Sequence, residues 1–280
     1  MAHPESATRG HPATLVGSTT IVSGTSWTVV HETDFTVAGA ASPWDAHTAG
    51  NLATQDINGV RWNVDGVGYC TDMDLDSNGL SIHIAGSETA SDWWTGGKTA
   101  PRFFAYLTYG TNPIYSSAGY GQAFCFQMLI ESSTDVSANW DAYGLLVSDH
   151  YGSSATESVQ NRRIYDSAGK NGVGRLNGGG QMELVAGSQP TMFETVVANG
   201  TVFVSSSTAS SLPDPMTITG YRAVANNNTA RNTLGSSMAI DKDNLCVLFY
   251  AFQAGGSTTN FTPTLKKFRV LATGATGALG

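Results

Sequence analysis

Apolar residues in this chain recur at every second position, in short runs broken by turn residues. That period places alternate side chains on opposite faces of a pleated strand. Residues 27–31 and 34–37 read as strands, and 60–64 as another, closed by Asp65-Gly66 as a hairpin-type turn. In 80–85 the residues Leu80, Ile82 and Ile84 share one face and His83 lies on the other. Residues 102–109 follow. The strongest pattern is 121–131, with Phe124, Phe126, Met128 and Ile130 on one face. Further strands are read at 140–148, 181–186, 191–198 and 201–206, with Asn199-Gly200 marking a hairpin between the last two. Residues 244–253 are almost continuously apolar, which predicts a central strand covered on both faces. Residues 264–272 close the series. No segment carries a helical period. Many short strands with Gly- and Asn-rich punctuation predict an all-β fold, a two-sheet antiparallel β-sandwich.

One domain is expected over 27–272, since sandwiches of this size form a single core. Residues 1–26 are polar and rich in Gly, Ser and Thr, and read as an extended N-terminal arm. Residues 273–280 read as a flexible or partner-packed tail.

Composition narrows the function. Charged residues are 13% of the 280, about half the roughly 25% usual for a soluble domain. Surface polarity must therefore come from hydroxyl, amide and glycine groups. The net charge is −8, with only 14 basic residues and no basic cluster. Nothing there offers a face to a phosphate backbone, so nucleic acid is not an expected partner. The longest apolar run, 245–252, is too short to span a bilayer, so no membrane insertion is expected. The first residues lack the apolar core of a signal peptide, so synthesis in a host cytoplasm is expected. Three widely spaced cysteines, Cys70, Cys125 and Cys246, suggest neither a disulfide framework nor a zinc site.

Four blocks resemble the concanavalin A-like, laminin-G-like sandwich superfamily. Asp34-Phe35 with Trp44 is similar to that group's opening strand, and Gly79-Leu-Ser-Ile-His-Ile84 to its next inner strand. Residues 120–130 and 140–147 resemble its paired central strands, and 267–271 the closing strand that returns beside the first. The resemblance implies a jelly-roll. The superfamily holds lectins, glycan-binding modules, glycoside hydrolases and virion surface proteins, so the fold alone does not choose among them.

Candidate chemistry is sparse. The Glu-x-Asp-x-Glu run of sandwich glucanases is absent, and Glu131, Glu183 and Glu194 are isolated. No nucleophile elbow and no metal-spaced histidines occur. An enzyme is therefore not expected, and no organic cofactor is implied. Asp74-Leu-Asp76-Ser-Asn78-Gly79 matches the first half of a calcium loop, and Asp72 adds an oxygen, which nominates Ca2+. The twelfth position is Ala85 where a bidentate Glu is required, so the same residues also read as an Asx-rich turn. Trp93 and Trp94, flanked by Asp92 and Lys98, form a candidate glycan-stacking platform in a Gly-flanked loop; the other reading is that they cover the end of the core. Trp27, Trp62 and Trp140 sit in strand patterns and are expected in the core, while Trp44 fits either place.

These features favour a non-enzymatic structural protein of a phage-type virion, a surface decoration, knob or fibre component, located on the virion surface. Its partners would be other virion proteins or copies of itself. The alternative is a carbohydrate-binding module recognising host or surface glycans. A glycoside hydrolase or lyase comes third, because carboxylates distant in sequence can still meet in space.

Overall fold

A computed structural model describes residues 27–45, 55–85, 101–107, 123–138, 140–148, 158–166, 168–175, 182–198, 201–213, 222–223, 246–254 and 257–273. Among the described residues seventeen strands form two sheets, and every strand pairing there is antiparallel. The strands are β1 (Trp27–Asp34), β2 (Trp44–Asp45), β3 (Gln55–Ile57), β4 (Val60–Asp65), β5 (Asp72–Asp76), β6 (Gly79–His83), β7 (Arg102–Tyr106), β8 (Ala123–Ser132) and β9 (Ala142–Ser148). They continue with β10 (Ser158–Tyr165), β11 (Gly169–Arg175), β12 (Met182–Ala186), β13 (Met192–Ala198), β14 (Thr201–Ser207), β15 (Arg222–Ala223), β16 (Cys246–Phe252) and β17 (Pro263–Thr273). The nine-stranded sheet runs β15-β14-β13-β8-β17-β6-β5-β2, with β1 also on β17. The eight-stranded sheet runs β12-β11-β10-β9-β16-β7-β4-β3.

The core lies between the sheets and follows the alternation. Phe124, Phe126, Met128 and Ile130 of β8 face Tyr143, Leu145 and Val147 of β9 and Val247, Phe249 and Ala251 of β16 within one buried cluster. Trp62 is fully buried, with Phe35 and Phe268 edge-on to it at 5.4 and 5.5 Å. Truncating such a ring to Ala removes its contacts and leaves a cavity, at a cost of about 3–5 kcal/mol. As expected, β16 is central and 246–251 are buried throughout. Trp44 is 8% exposed and also belongs to the core.

Several expectations are corrected. Residues 35–41 are a helix, α1 (Phe35–Ala41), and not a strand. Asp34 ends β1 and caps α1: its Oδ1 accepts from the Thr36 amide at 3.0 Å and the Val37 amide at 3.4 Å. These bonds satisfy donors that a helix start leaves open. Phe35 and Gly39 then face inward, and Gly39 packs so tightly on β5 that a Cβ there would lie 1.8 Å from the Asp76 carbonyl oxygen. Asp65-Gly66 closes no hairpin. Gly66 is left-handed (φ 75°) and leads through a 3₁₀ turn, Val67–Tyr69, from the eight-stranded to the nine-stranded sheet. The hairpin instead joins β3 to β4 at Asn58-Gly59, both with positive φ, as a type I′ connection requires.

The strands at 123–132 and 142–148 are not hydrogen-bonded neighbours. β8 pairs with β17 and β13, while β9 pairs with β10 and β16, so the two face each other across the core. The closing strand does return beside the first: β17 pairs with β1 from Asp34↔Lys267 to Trp27↔Thr273. Between Val29 and His31 the register shifts, a bulge that leaves Val29 exposed and turns Thr33 inward. Among the described residues no helix is long and apolar enough to cross a membrane.

Candidate functional site

The second face of the eight-stranded sheet, away from the main core, carries the chain's most unusual chemistry. Strand register lines up one cross-sheet row: Arg162↔Gly144, Gly144↔Tyr250, Tyr250↔Arg102 and Arg102↔Asp65. The adjacent row is Gln160↔Leu146, Leu146↔Leu248, Leu248↔Phe104 and Phe104↔Asn63. Alternation places both rows on the same face, because Tyr143, Leu145, Phe103, Val247 and Phe249 take the core face. Phe104, Leu146, Cys246, Leu248 and Tyr250 form a second apolar cluster there, with Phe252 packed against it.

The polar members are dry. Gln160 is 0%, Arg162 2% and Arg102 3% exposed. Arg162 Nη1 donates to Gln160 Oε1 at 2.6 Å, and Arg102 Nη2 donates to Asp65 Oδ2 at 2.5 Å. Gly144 separates Arg162 from Tyr250 in the row and must lack a side chain: a Cβ would sit 2.2 Å from the Asn161 carbonyl oxygen. Without that Cβ, the long side chains of the flanking strands can approach over the glycine backbone. Burial pushes the Tyr250 phenol up to about 12, against the Arg162 guanidinium that lowers it. Burial lowers the Arg162 guanidinium and raises the Cys246 thiol. Desolvated titratable groups gathered on one face mark a candidate site, as they also mark buried structural networks.

Buried polar groups on the opposite face of the sandwich are paired as well. Glu194 and Gln127 are fully buried on the nine-stranded sheet, and Gln127 Nε2 donates to Glu194 Oε2 at 2.6 Å and to the Pro213 carbonyl at 2.8 Å. Arg269 donates to Glu32 at 2.6 Å and to the Leu212 carbonyl at 3.1 Å. The segment before residue 213 is thereby fastened over that sheet. Arg163, the other face of the Arg162-Arg163 pair, holds Asp135 through two bonds at 2.9 and 2.5 Å and the Gly187 carbonyl at 2.8 Å. That geometry ties loops together.

Asp92, Trp93, Trp94 and Lys98 lie outside the described residues. The proposed calcium ligands are described. Asp72, Asp74 and Asp76 alternate along β5, on the side away from Met73 and Leu75, which belong to the core. Ser77-Asn78 is the two-residue connection to β6, since Asp76 pairs with Gly79. Both Asp76 oxygens are engaged within the turn, one by the Asn78 amide at 2.6 Å and the other by Asn78 Nδ2 at 2.9 Å. His83 Nε2 lies 3.4 Å from Asp74, which raises the His83 pKa. Among the described residues no three His, Cys, Asp or Glu side chains converge as a metal site would require. The geometry is that of an Asx-stabilised hairpin.

Sequence reasoning missed the row of Arg102, Gln160, Arg162 and Tyr250. Its available signal was a run of four polar residues, Gln160 to Arg163, inside a strand, and a glycine, Gly144, inside another.

No protein-family model matches the chain, and no curated protein matches it. Solved structures resemble its fold. The CBM2 module of the evolved Dit of Lactobacillus casei BL23 phage J-1 is 11% identical over 88% of this chain and 96% of its own, with a TM-score of 0.47. An alginate lyase from Corynebacterium sp. is 11% identical over 79% and 99%, with a TM-score of 0.44. A pseudo beta-1,3-glucanase of Mycobacterium tuberculosis is 11% identical over 87% and 98%, with a TM-score of 0.45.

Proposed function

We propose that this chain is a non-catalytic, carbohydrate-recognising sandwich displayed on the surface of a phage-type virion or similar assembly. The observation that carries the recognition half is the row Arg102, Tyr250, Gly144 and Arg162, with Gln160 beside it, on one face of the eight-stranded sheet. Guanidinium forks and an amide supply directional bonds to hydroxyl and carboxylate oxygens. Phe104, Leu146 and Leu248, buried beside the row, give these polar groups a low-dielectric setting. Two guanidinium groups on the row favour glycans that carry acidic groups. In a desolvated setting each such charge-assisted bond is stronger than in water.

The non-catalytic half rests on what hydrolysis needs. Glycosidases of the common kinds place two carboxyl groups about 5–10 Å apart across the scissile bond. On the described rows Asp65 stands alone and is committed to Arg102 at 2.5 Å. The assembly half rests on composition, since a surface poor in charge and rich in hydroxyl groups suits a displayed exterior.

The test is a glycan array of neutral and acidic glycans probed with the full chain, with calcium and with chelator. It is run beside an Arg162→Met/Tyr250→Phe variant of unchanged melting temperature, and bound polymers are assayed for new reducing ends and for unsaturated products. Binding to acidic glycans that the variant loses, without product, is the expected result. Product formation would replace the reading with a hydrolase or lyase. Absence of binding to every glycan would leave only the assembly role. Loss of binding on chelation would revive calcium at Asp72, Asp74, Asp76 and Asn78.

A further inference from the structure

Trp140 departs from its expected place in the core. Its side chain is 45% exposed, and among the described residues only Val29 and Val37 are comparable exposed large apolar groups. Its backbone is left-handed, φ 68°, a region that a bulky non-glycine residue seldom occupies. Such a conformation persists only where the surroundings enforce it. Here they do. The Trp140 amide donates to the Tyr165 carbonyl at 2.7 Å, the Asp141 amide to the Ala138 carbonyl at 3.1 Å, and the Tyr165 amide to the Asp141 carbonyl at 2.9 Å. The Asp141 carboxylate is fully buried and accepts from the Ala254 amide at 3.0 Å, from Ser257 Oγ at 2.6 Å and from Thr259 Oγ1. The chain thus uses a buried carboxylate to hold the neighbouring indole out of the core.

The two loops at this end, 132–141 and 253–262, are joined again by Thr134 Oγ1 donating to the Asn260 carbonyl at 2.7 Å. Their charged residues are two, Asp135 and Asp141. Asp135 is bound by Arg163 and Asp141 is buried. Their exposed described side chains include Ser133, Thr134, Ser137, Thr258 and Asn260. The exposed described residues of the two loops thus carry hydroxyls and an amide. The adjoining strand-turn segment at 163–170 has its cations in the ion pairs Arg163–Asp135 and Lys170–Asp166. An exposed flat aromatic face in this setting matches an uncharged pyranose. A protein hot spot would need apolar neighbours that these loops lack.

We propose that Trp140 is a stacking platform for a neutral hexose or pentose unit of a glycan. It is a site separate from the arginine row. Trp140 lies four residues along the chain from Gly144, about 13 Å at strand rise. The inference does not depend on the reading of that row.

The test is affinity electrophoresis of the full chain in gels containing dextran, galactomannan, xylan or mixed-linkage glucan. The variants are Trp140→Ala, Trp140→Phe and Trp140→Asn, the last because Asn tolerates left-handed backbone. Val37→Ala is a control for an exposed apolar group elsewhere. The expected result is retardation by at least one of these polymers, weakened about tenfold or more in the Ala and Asn variants, as for an anchoring Trp at a binding surface. Trp140→Phe should keep most of the binding and Val37→Ala all of it. Retardation unchanged in folded Trp140→Ala or Trp140→Asn protein overturns the proposal, and so does a native chain that none of the neutral polymers retards. Neutral-glycan binding lost in Arg162→Met but kept in Trp140→Ala assigns it to the other site and equally overturns it.

Discussion

Asp141 offers a measurable test of how the end of the sandwich is held. Its carboxylate is wholly inside the protein and receives three hydrogen bonds from the loop between β16 and β17, from Ala254, Ser257 and Thr259. Asp141→Ala leaves one amide and two hydroxyls without that acceptor. Each buried polar group so stranded costs about 1–3 kcal/mol. Part of that returns, because Ser257 Oγ lies 2.7 Å from Thr259 Oγ1 and the two can bond each other. Removing a buried charge also recovers some desolvation energy. The net loss should be about 3–5 kcal/mol, or roughly 6–20 °C of melting temperature for a chain of this size. Asp141→Asn keeps an oxygen for the Ala254 amide, and its amide nitrogen can donate to hydroxyls that rotate to accept. Its loss should be about 1–2 kcal/mol, since neutral bonds replace charge-assisted ones. Urea unfolding followed by circular dichroism, with equal m values, measures both. An Ala variant within 1 kcal/mol of the native chain would show that the loop is held by packing, and would remove the clamp from the account of Trp140.

Two further predictions follow from packing and protonation. Gly39→Ala should destabilise by about 3 kcal/mol despite alanine's higher helix propensity, because its Cβ would fall 1.8 Å from the Asp76 carbonyl oxygen and α1 would have to lift off β5; a thermal melt within 2 °C of the native value would contradict this. His31, half-buried, donates to or accepts from Thr33 Oγ1 at 2.7 Å, and burial lowers its pKa from 6.5 to about 4, against the raising effect of Glu32. Its folded pKa lies below its unfolded one, so the stability it supports is complete above pH 6.5 and lost as pH falls from there towards 4. The full shift would correspond to about 3 kcal/mol, and solvent at the half-buried ring reduces this to about 1 kcal/mol. Comparing urea unfolding at pH 7.5 and pH 5.0, His31→Gln should lose about 1 kcal/mol less than the native chain. Parallel losses would refute the assignment. His83 acts oppositely in the same window, being raised by Asp74, and cancels in the comparison.

The strand pattern was legible because burial in a sandwich obeys period two. Residues 124–130 show it most plainly, while 246–252, apolar at every position, are legible as a strand covered on both faces; both are strands at the centres of their sheets. The helix at Phe35–Ala41 was not legible: Asp-Phe-Thr-Val alternates like a strand, and only the cap formed by Asp34 and the seat of Gly39 on β5 decide otherwise. Sheet membership was also hidden. Strands 123–132 and 142–148 are successive in sequence, yet the chain between them crosses from one sheet to the other, which alternation cannot report. The arginine row was illegible for a related reason. Polar residues within a strand read as solvent-facing, yet Arg102 and the consecutive Gln160, Asn161, Arg162 and Arg163 are all buried. Trp140 failed in the opposite sense, since aromatic identity argues for burial and a single left-handed dihedral reversed it.

The position of β17 has a consequence for how the protein is made. This strand, contributed by residues 263–273, lies between β8 on one side and β6 followed by β1 on the other. A ribosome therefore releases the partners of the nine-stranded sheet some 130 to 230 residues before the strand that joins them. Until then β8 and β6 present open backbone edges, the kind that recruit strands from other chains. Folding of that sheet must await the last part of the sequence and close very long loops, which makes it slow. Yield in expression should accordingly depend on temperature and synthesis rate more than on the stability of the finished sandwich.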